Sequence, residues 1–138
     1  NVLEIGTGSG FMAALLGHKA QQVTTIEINA ELAALASVNL ERAGVMNVTV
    51  HHADGAPGLP SEAPFDAILL SGSVADVPPG LLAQLKVGGR LAAIVGQQPM
   101  MRAMLFTRSS EHSFSSVELF DTVAPRLSGF AEPSRFKF

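Results

Sequence analysis

Residues 2–11 read Val-Leu-Glu-Ile-Gly-Thr-Gly-Ser-Gly-Phe, and this stretch decides the fold. Its first four residues form a short, mainly apolar run, which is typical of a buried strand in a parallel sheet. The three glycines that follow can adopt positive φ and let a ligand approach the backbone closely. Helical spacing then covers residues 11–19. The stretch therefore predicts a strand, a glycine-rich turn and a helix, an arrangement that binds nucleoside-bearing ligands at the edge of an α/β sheet.

The rest of the chain alternates between strand and helix patterns. Asn29 is a predicted N-cap, and Gly44 stands where a helix commonly ends. Further helical patterns cover residues 30–43 and 81–86. Strand patterns cover residues 23–28, 45–50, 65–70 and 90–95. A terminal hairpin is predicted from residues 101–108 and 116–122 around the polar turn 109–115, and loops from residues 54–64 and 129–138.

This alternation predicts the fold class, because strands that alternate with helices form right-handed βαβ units. We predict a doubly wound, mostly parallel, Rossmann-like α/β sheet with antiparallel edge strands. Residues 1–138 suit one domain. The chain begins with Asn1 and its first residues already read as a strand, so we expect a fragment of a longer chain.

Composition excludes several classes of function. The net charge of −3 argues against a nucleic-acid partner held by electrostatics. There is no cysteine, which excludes disulfides and thiol catalysis. No apolar run reaches the roughly 18 to 20 residues of a membrane span. His51 and His52 point to opposite faces of a strand, and no metal-ligand cluster is evident. We expect a cytoplasmic protein without metal, membrane or nucleic-acid partners.

The spacing of the glycines indicates which cofactor the turn would hold. A dinucleotide fingerprint reads Gly-x-Gly-x-x-Gly, and its third glycine would fall at Phe11. The observed Gly-x-Gly-x-Gly spacing favours a cofactor without a pyrophosphate, S-adenosyl-L-methionine above all. An NAD-type oxidoreductase domain is the alternative that Phe11 disfavours.

Three carboxylates are candidate contacts of that cofactor. Glu27 ends a predicted strand 21 positions beyond Gly6, where it can accept hydrogen bonds from ribose hydroxyls; otherwise it is a solvated charge. Asp54 could accept a hydrogen bond from the adenine amino group, or form an Asx turn with Gly55. Glu4 lies inside an apolar strand, where it needs hydrogen bonds. It could take them from loop N–H groups near the cofactor's ammonium, or serve the structure alone.

The chain resembles the protein-L-isoaspartate O-methyltransferases, a family of class I S-adenosylmethionine-dependent methyltransferases. The first stretch that carries the resemblance is residues 2–11, followed by Ala-Ala-Leu-Leu at 13–16. Further matching stretches follow in order along nearly the whole chain at residues 47–50, 53–55, 58–60, 63–68, 77–79, 81–82, 84–86, 88–91 and 123–129.

The resemblance implies methyl transfer to a carboxylate of damaged isoaspartyl residues in a protein or peptide substrate, a protein-repair reaction. It places the glycines around the methionine part of the cofactor, Glu27 at the ribose and Asp54 and Gly55 beside adenine. The predicted cofactor site comprises Glu4, Gly6, Thr7, Gly8, Gly10, Phe11, Glu27, Ile28, Asp54 and Gly55. Ser71 and Ser73 are the predicted acceptor-side residues.

The reaction needs little acid–base chemistry, because a carboxylate acceptor is already ionised near neutral pH. Two alternatives stay open: a methyltransferase with a different acceptor, and a non-catalytic Rossmann-like module that binds the cofactor or a partner. The family has an N-terminal region before the first strand, so we expect this chain alone to bind cofactor weakly and to have little activity.

Overall fold

The computed structural model describes residues 1–132, which contain one seven-stranded sheet flanked by helices. The strands are β1 (Val2–Ile5), β2 (Val23–Glu27), β3 (Val48–His52), β4 (Phe65–Val74), β5 (Leu85–Gln97), β6 (Met100–Ser110) and β7 (Ser113–Asp121). The α-helices are α1 (Phe11–Lys19), α2 (Ala30–Arg42) and the single turn α3 (Pro79–Leu82). Within residues 1–132, no helix is both long and apolar enough to cross a membrane.

The strand order is β3-β2-β1-β4-β5-β6-β7, which places β1 near the middle of the sheet. β1 pairs in parallel with β2 and β4, β2 with β3, and β4 with β5. β5, β6 and β7 form an antiparallel meander at the other edge. The order reverses at β1, so its carboxyl end lies at the switch point where α/β sheets bind ligands. The predicted fold class is confirmed.

Helix α2 begins and ends as its sequence predicts. The Asn29 side chain accepts a hydrogen bond from the Leu32 N–H at 3.0 Å, which satisfies one of the free N–H groups of the first turn. Glu31 in the first turn and Arg42 in the last turn complement the helix dipole.

The core is formed mainly by residues of the central strands β1, β4 and β5. Its fully buried members include Leu3 of β1, Phe65 and Ile68 of β4, and Leu91 of β5. Phe130, from the chain beyond β7, packs on the same cluster. The segment after the meander therefore returns to the middle of the sheet.

Several predicted boundaries are wrong. The third strand begins at Val48, not at residue 45, because the Asn47 side chain donates hydrogen bonds to the carbonyls of Gly17 and Ala20 and ends the preceding turn. The fourth strand continues beyond residue 70 to Val74. The helix predicted for 81–86 is only Pro79–Leu82, because Leu85 already pairs with Phe65.

Two further differences concern the loop 54–64 and the terminal hairpin. The predicted loop 54–64 contains a short 3-10 helix, Pro60–Glu62. The hairpin strands are longer than predicted, and only residues 111–112 separate them. Residues 129–132 contain no helix or strand, as predicted, while residues 133–138 of the predicted terminal loop lie outside the described residues.

Candidate functional site

The glycine turn joins β1 to α1 at the carboxyl ends of the central strands. Gly6 and Gly10 both have φ of 91°, a conformation that favours glycine. A Cβ at Gly6 would lie 2.6 Å from Cδ2 of Leu127. A Cβ at Gly10 would lie 3.3 Å from the backbone of Ala36 in α2. The missing side chain of Gly6 thus leaves room for Leu127, which lies in the segment after β7. The missing side chain of Gly10 allows α1 and α2 to pack closely.

Glu27 holds this turn from the end of β2. Its Oε1 accepts a hydrogen bond from the Gly8 N–H at 2.8 Å, and its Oε2 accepts one from the Asn29 N–H at 3.0 Å. The side chain is only 5 % exposed. Each carboxylate oxygen has two lone pairs, so both oxygens retain acceptor capacity for a ligand.

Glu4 forms a buried network beneath the turn. Its Oε1 accepts from Thr25 Oγ1 at 2.7 Å and its Oε2 from Ser71 Oγ at 2.5 Å. The Thr25 hydroxyl also contacts the Thr7 hydroxyl. Burial raises the pKa of Glu4, the two hydrogen bonds lower it and the charge of Glu27 raises it, and the net pKa is raised. The prediction that Glu4 accepts hydrogen bonds from loop N–H groups is wrong. Within residues 1–132, its hydrogen-bond donors are hydroxyls of β2 and β4.

A cavity of about 180 Å³ opens beside the turn. It is lined by Ile5, Gly6, Gly8, Ile26, Glu27, Ile28, Gly55, Ser71, Arg126, Leu127 and Ser128. The structure thus brings six of the predicted site residues together, namely Gly6, Gly8, Glu27, Ile28, Gly55 and Ser71. Glu4, Thr7 and Gly10 are buried and form the support behind this wall.

Three of the predicted site residues do not line this cavity within residues 1–132. Phe11 is 70 % exposed at the start of α1. Asp54 is exposed, and its Oδ1 accepts from the Ala56 N–H at 2.9 Å, which is the Asx-turn alternative. Ser73 is fully buried and its hydroxyl donates to the Ala124 carbonyl at 2.9 Å. Ser73 is therefore not placed to contact the acceptor, because its hydroxyl is bonded to the segment that follows β7.

Residues 126–128 also line this site, although the sequence did not predict it. The Ser73 N–H donates to the Pro125 carbonyl and the Leu127 N–H donates to the Ser73 carbonyl, both at 2.8 Å. These bonds hold residues 126–128 alongside β4, about 50 positions away in the chain. The Pro-Arg-Leu sequence at 125–127 gave no signal of this pairing, because the pairing depends on the extension of β4 to Val74.

Of the histidine pair, His52 makes a structural contact. Nε2 of His52 lies 3.1 Å from the Ile28 carbonyl oxygen and steadies the chain that follows β2. Across residues 1–132, no group of three or more His, Cys, Asp or Glu side chains is arranged to hold a metal ion.

Comparison with known proteins adds an independent finding. The family described as protein-L-isoaspartate(D-aspartate) O-methyltransferase matches residues 1–123. The protein-L-isoaspartate O-methyltransferase of Koribacter versatilis (strain Ellin345) is 48 % identical over 120 residues, which are 87 % of this chain and 54 % of that relative. The same-named protein of Rhodopseudomonas palustris (strain ATCC BAA-98 / CGA009) is 46 % identical over 88 % of this chain and 56 % of its own length.

Solved structures agree on the fold. A protein-L-isoaspartate O-methyltransferase superimposes with a TM-score of 0.85 and 29 % identity, over 93 % of this chain and 42 % of that chain. A Plasmodium falciparum structure described as a protein-L-isoaspartate O-methyltransferase in complex with S-adenosyl-L-homocysteine gives 0.76 at 20 % identity, over 92 % of this chain and 65 % of that one. At that identity the second likeness concerns the fold alone.

The sheet order, the glycine turn and the carboxylate that ends β2 define a Rossmann-like domain of the methyltransferase class. The chain belongs to the protein-L-isoaspartate(D-aspartate) O-methyltransferase family. It spans about half the length of the curated relatives that it matches.

Proposed function

We propose that the protein transfers a methyl group from S-adenosyl-L-methionine to a carboxylate of isoaspartyl residues in a protein or peptide substrate. The observation that carries this proposal is the family match over residues 1–123, which includes every strand of the sheet and the glycine turn. The reaction would begin the repair of damaged protein. The activity is proposed for the whole protein, since this chain spans about half the length of its curated relatives.

The cofactor fits the residues that line the cavity. Gly6 and Gly8 leave the backbone open beside it, and Glu27 keeps unused lone pairs for the two ribose hydroxyls. Ile28 and Gly55 line the side on which we place adenine. Asp54 and Phe11, which lie outside the cavity, are weaker candidates for the cofactor site than these residues.

The cavity of about 180 Å³ is smaller than the roughly 300–1,000 Å³ usual for small-molecule sites. A second cavity of about 890 Å³ adjoins it, and residues 126–128 line both. We infer that these residues divide one larger space between cofactor and acceptor.

Chemically, the protein must position two reactants and exclude water. The bound cofactor supplies an electrophilic methyl group on a sulfonium, which an acceptor carboxylate oxygen takes as the neutral thioether departs. Because the acceptor is already ionised near neutral pH, no general base is required. Ser71, whose hydroxyl lies at the cavity and donates to Glu4, is the remaining acceptor-side candidate, and alignment of the reactants would provide most of the acceleration.

Calorimetry tests the cofactor assignment. We expect S-adenosyl-L-homocysteine to bind and NADH not to bind, because the turn lacks the third glycine of a dinucleotide site. Binding of NADH alone would favour the oxidoreductase alternative, and binding of neither would contradict the proposal.

A methyl-transfer assay tests the acceptor. The protein, expressed from its complete natural reading frame, should label an isoaspartyl peptide with a base-labile methyl ester and leave the matched aspartyl peptide unlabelled. Labelling of other acceptors only would refute the isoaspartyl substrate while sparing the cofactor assignment. The single domain over residues 1–138 and a cytoplasmic location belong to the same proposal, and limited proteolysis and cell fractionation would test them.

A further inference from the structure

Arg126 has an unused hydrogen-bonding group beside the site. Its Nη1 is buried and has no hydrogen-bond partner among residues 1–132. Its Nε forms an ion pair with Oε2 of Glu132 at 3.1 Å, and the side chain is 28 % exposed. A guanidinium has five N–H donors in a planar fork, so the pair with Glu132 leaves most of them available. Because a buried charged donor without a partner is costly, Nη1 can gain free energy by pairing with an added acceptor.

The position of Arg126 is fixed by the sheet. The neighbouring residues Pro125 and Leu127 hydrogen-bond to the backbone of Ser73 in β4, which is itself fully buried. Arg126 therefore lies at a defined place beside the carboxyl end of β4, in the middle of the sheet. It lines both the smaller cavity, together with Gly8 and Glu27, and the larger cavity, together with Gln97.

The acidic side chains of the site already have other partners. Glu27 accepts from two backbone N–H groups, and Glu4 accepts from two hydroxyls. Glu132, which pairs with Nε of Arg126, is half exposed. The carboxylate that pairs with Arg126, that of Glu132 at the larger cavity, engages Nε, and neither Glu27 nor Glu4 forms an ion pair with Arg126 within residues 1–132.

Building on the proposed function, we propose that Arg126 binds a carboxylate of a bound reactant at the boundary of the two cavities. A carboxylate matches the planar guanidinium fork in shape and charge and can accept two parallel hydrogen bonds from it. Both reactants contain such a group: the aminoacyl end of the cofactor, and the isoaspartyl acceptor. Arg126 acts as a binding residue that orients this reactant and takes no part in proton transfer.

The test compares Arg126→Gln with the matched control Arg102→Gln in the full-length protein. Arg102 pairs with Glu118 on the exposed meander and lines neither cavity. Binding of S-adenosyl-L-homocysteine and of 5′-methylthioadenosine, which lacks the aminoacyl carboxylate, is measured by calorimetry. The KM for an isoaspartyl peptide is measured by methyl transfer, and thermal unfolding checks each variant.

We expect Arg126→Gln to weaken the binding of one carboxylate ligand about tenfold or more, the size of a lost charge-assisted hydrogen bond. A loss for S-adenosyl-L-homocysteine but not for 5′-methylthioadenosine identifies the cofactor carboxylate as the ligand. An unchanged affinity for both with a raised KM for the peptide identifies the acceptor. Arg126→Lys, which keeps the charge but loses the fork, should fall between wild type and Arg126→Gln and serves in its place if Arg126→Gln unfolds.

Equal behaviour of the Arg126 and Arg102 variants in all three measurements would overturn the inference. So would equal losses for S-adenosyl-L-homocysteine and 5′-methylthioadenosine, because the carboxylate would then play no part. Either result overturns the inference only if the wild-type protein binds S-adenosyl-L-homocysteine and methylates the peptide. A wild-type protein that binds no S-adenosyl-L-homocysteine would instead refute the proposed function, and this inference with it.

Discussion

Strands β2 and β7 of the same sheet have opposite environments. All five residues of β2 are buried, whereas all nine residues of β7 are exposed. β2 lies inside the parallel half, between β1 and β3, and helices pack against it; β7 is the edge of the antiparallel meander. Parallel strands need cover on both faces, while an antiparallel edge tolerates water. The carboxylates of the site are held in the buried half, where packing fixes their positions.

The largest expected effect on stability comes from removing a core side chain in the parallel half of the sheet. Phe65→Ala in β4 should lower the free energy of unfolding by about 3–5 kcal/mol, because Phe65 is fully buried. Phe120→Ala in β7 should change it by only about 0.5 kcal/mol, because Phe120 is 62 % exposed. Urea unfolding measures both. Similar losses would mean that the meander is as tightly covered as the centre.

A second comparison concerns the two sets of charges. Glu27→Gln should weaken binding of S-adenosyl-L-homocysteine by roughly ten- to 100-fold, the effect of losing hydrogen bonds to a charged group. The control Glu118→Gln removes an acid of β7 that pairs with exposed Arg102, and it should leave binding unchanged. Unchanged affinity in Glu27→Gln would exclude the proposed ribose contact.

A third pair of substitutions compares a glycine of the parallel half of the fold, at the N-cap of α1, with one near the start of β5. Gly10 and Gly88 both have positive φ, 91° and 87°, so alanine at either should cost about 1–2 kcal/mol of strain. Only Gly10 also faces a neighbour, since its Cβ would lie 3.3 Å from Ala36, whereas a Cβ at Gly88 meets nothing within 4 Å. Gly10→Ala should therefore lose about 1 kcal/mol more than Gly88→Ala. Thermal unfolding of the two variants gives the difference, and equal losses would contradict the packing role of Gly10.

The smallest expected effect is the pH dependence of the buried network. The pKa of Glu4 is raised above its ordinary value of 4.5, mainly by burial, so the folded protein holds this proton more tightly than the unfolded chain. The associated stability is complete below pH 4.5 and is lost as pH rises through the raised pKa. Glu4→Gln stays neutral, so its stability relative to wild type should improve as pH rises. Denaturant unfolding across this range measures the trend, and a constant difference would contradict it.

Much of the fold could be predicted from local patterns. The strand and glycine turn of residues 2–11 and the capped helix after Asn29 are set by chemistry between near neighbours in the chain. Glu27 was located at the cavity because strand ends of a parallel sheet meet at one edge. Strand limits were less accurate, since the extension of β4 and the early start of β5 depend on pairing with each other.

The fold class and the place of Glu27 at the end of a strand could be inferred from the sequence alone, because both depend on short-range spacing. The family was inferred from the resemblance of ordered stretches along nearly the whole chain. The wall of the cavity formed by residues 126–128 depends on tertiary contacts. The tertiary structure buried Ser73, which the sequence suggested for the acceptor side, and it brought residues 126–128 to the glycine turn. The physical reason is that two backbone hydrogen bonds join positions about 50 residues apart, and their energy depends on a strand partner that no local pattern contains.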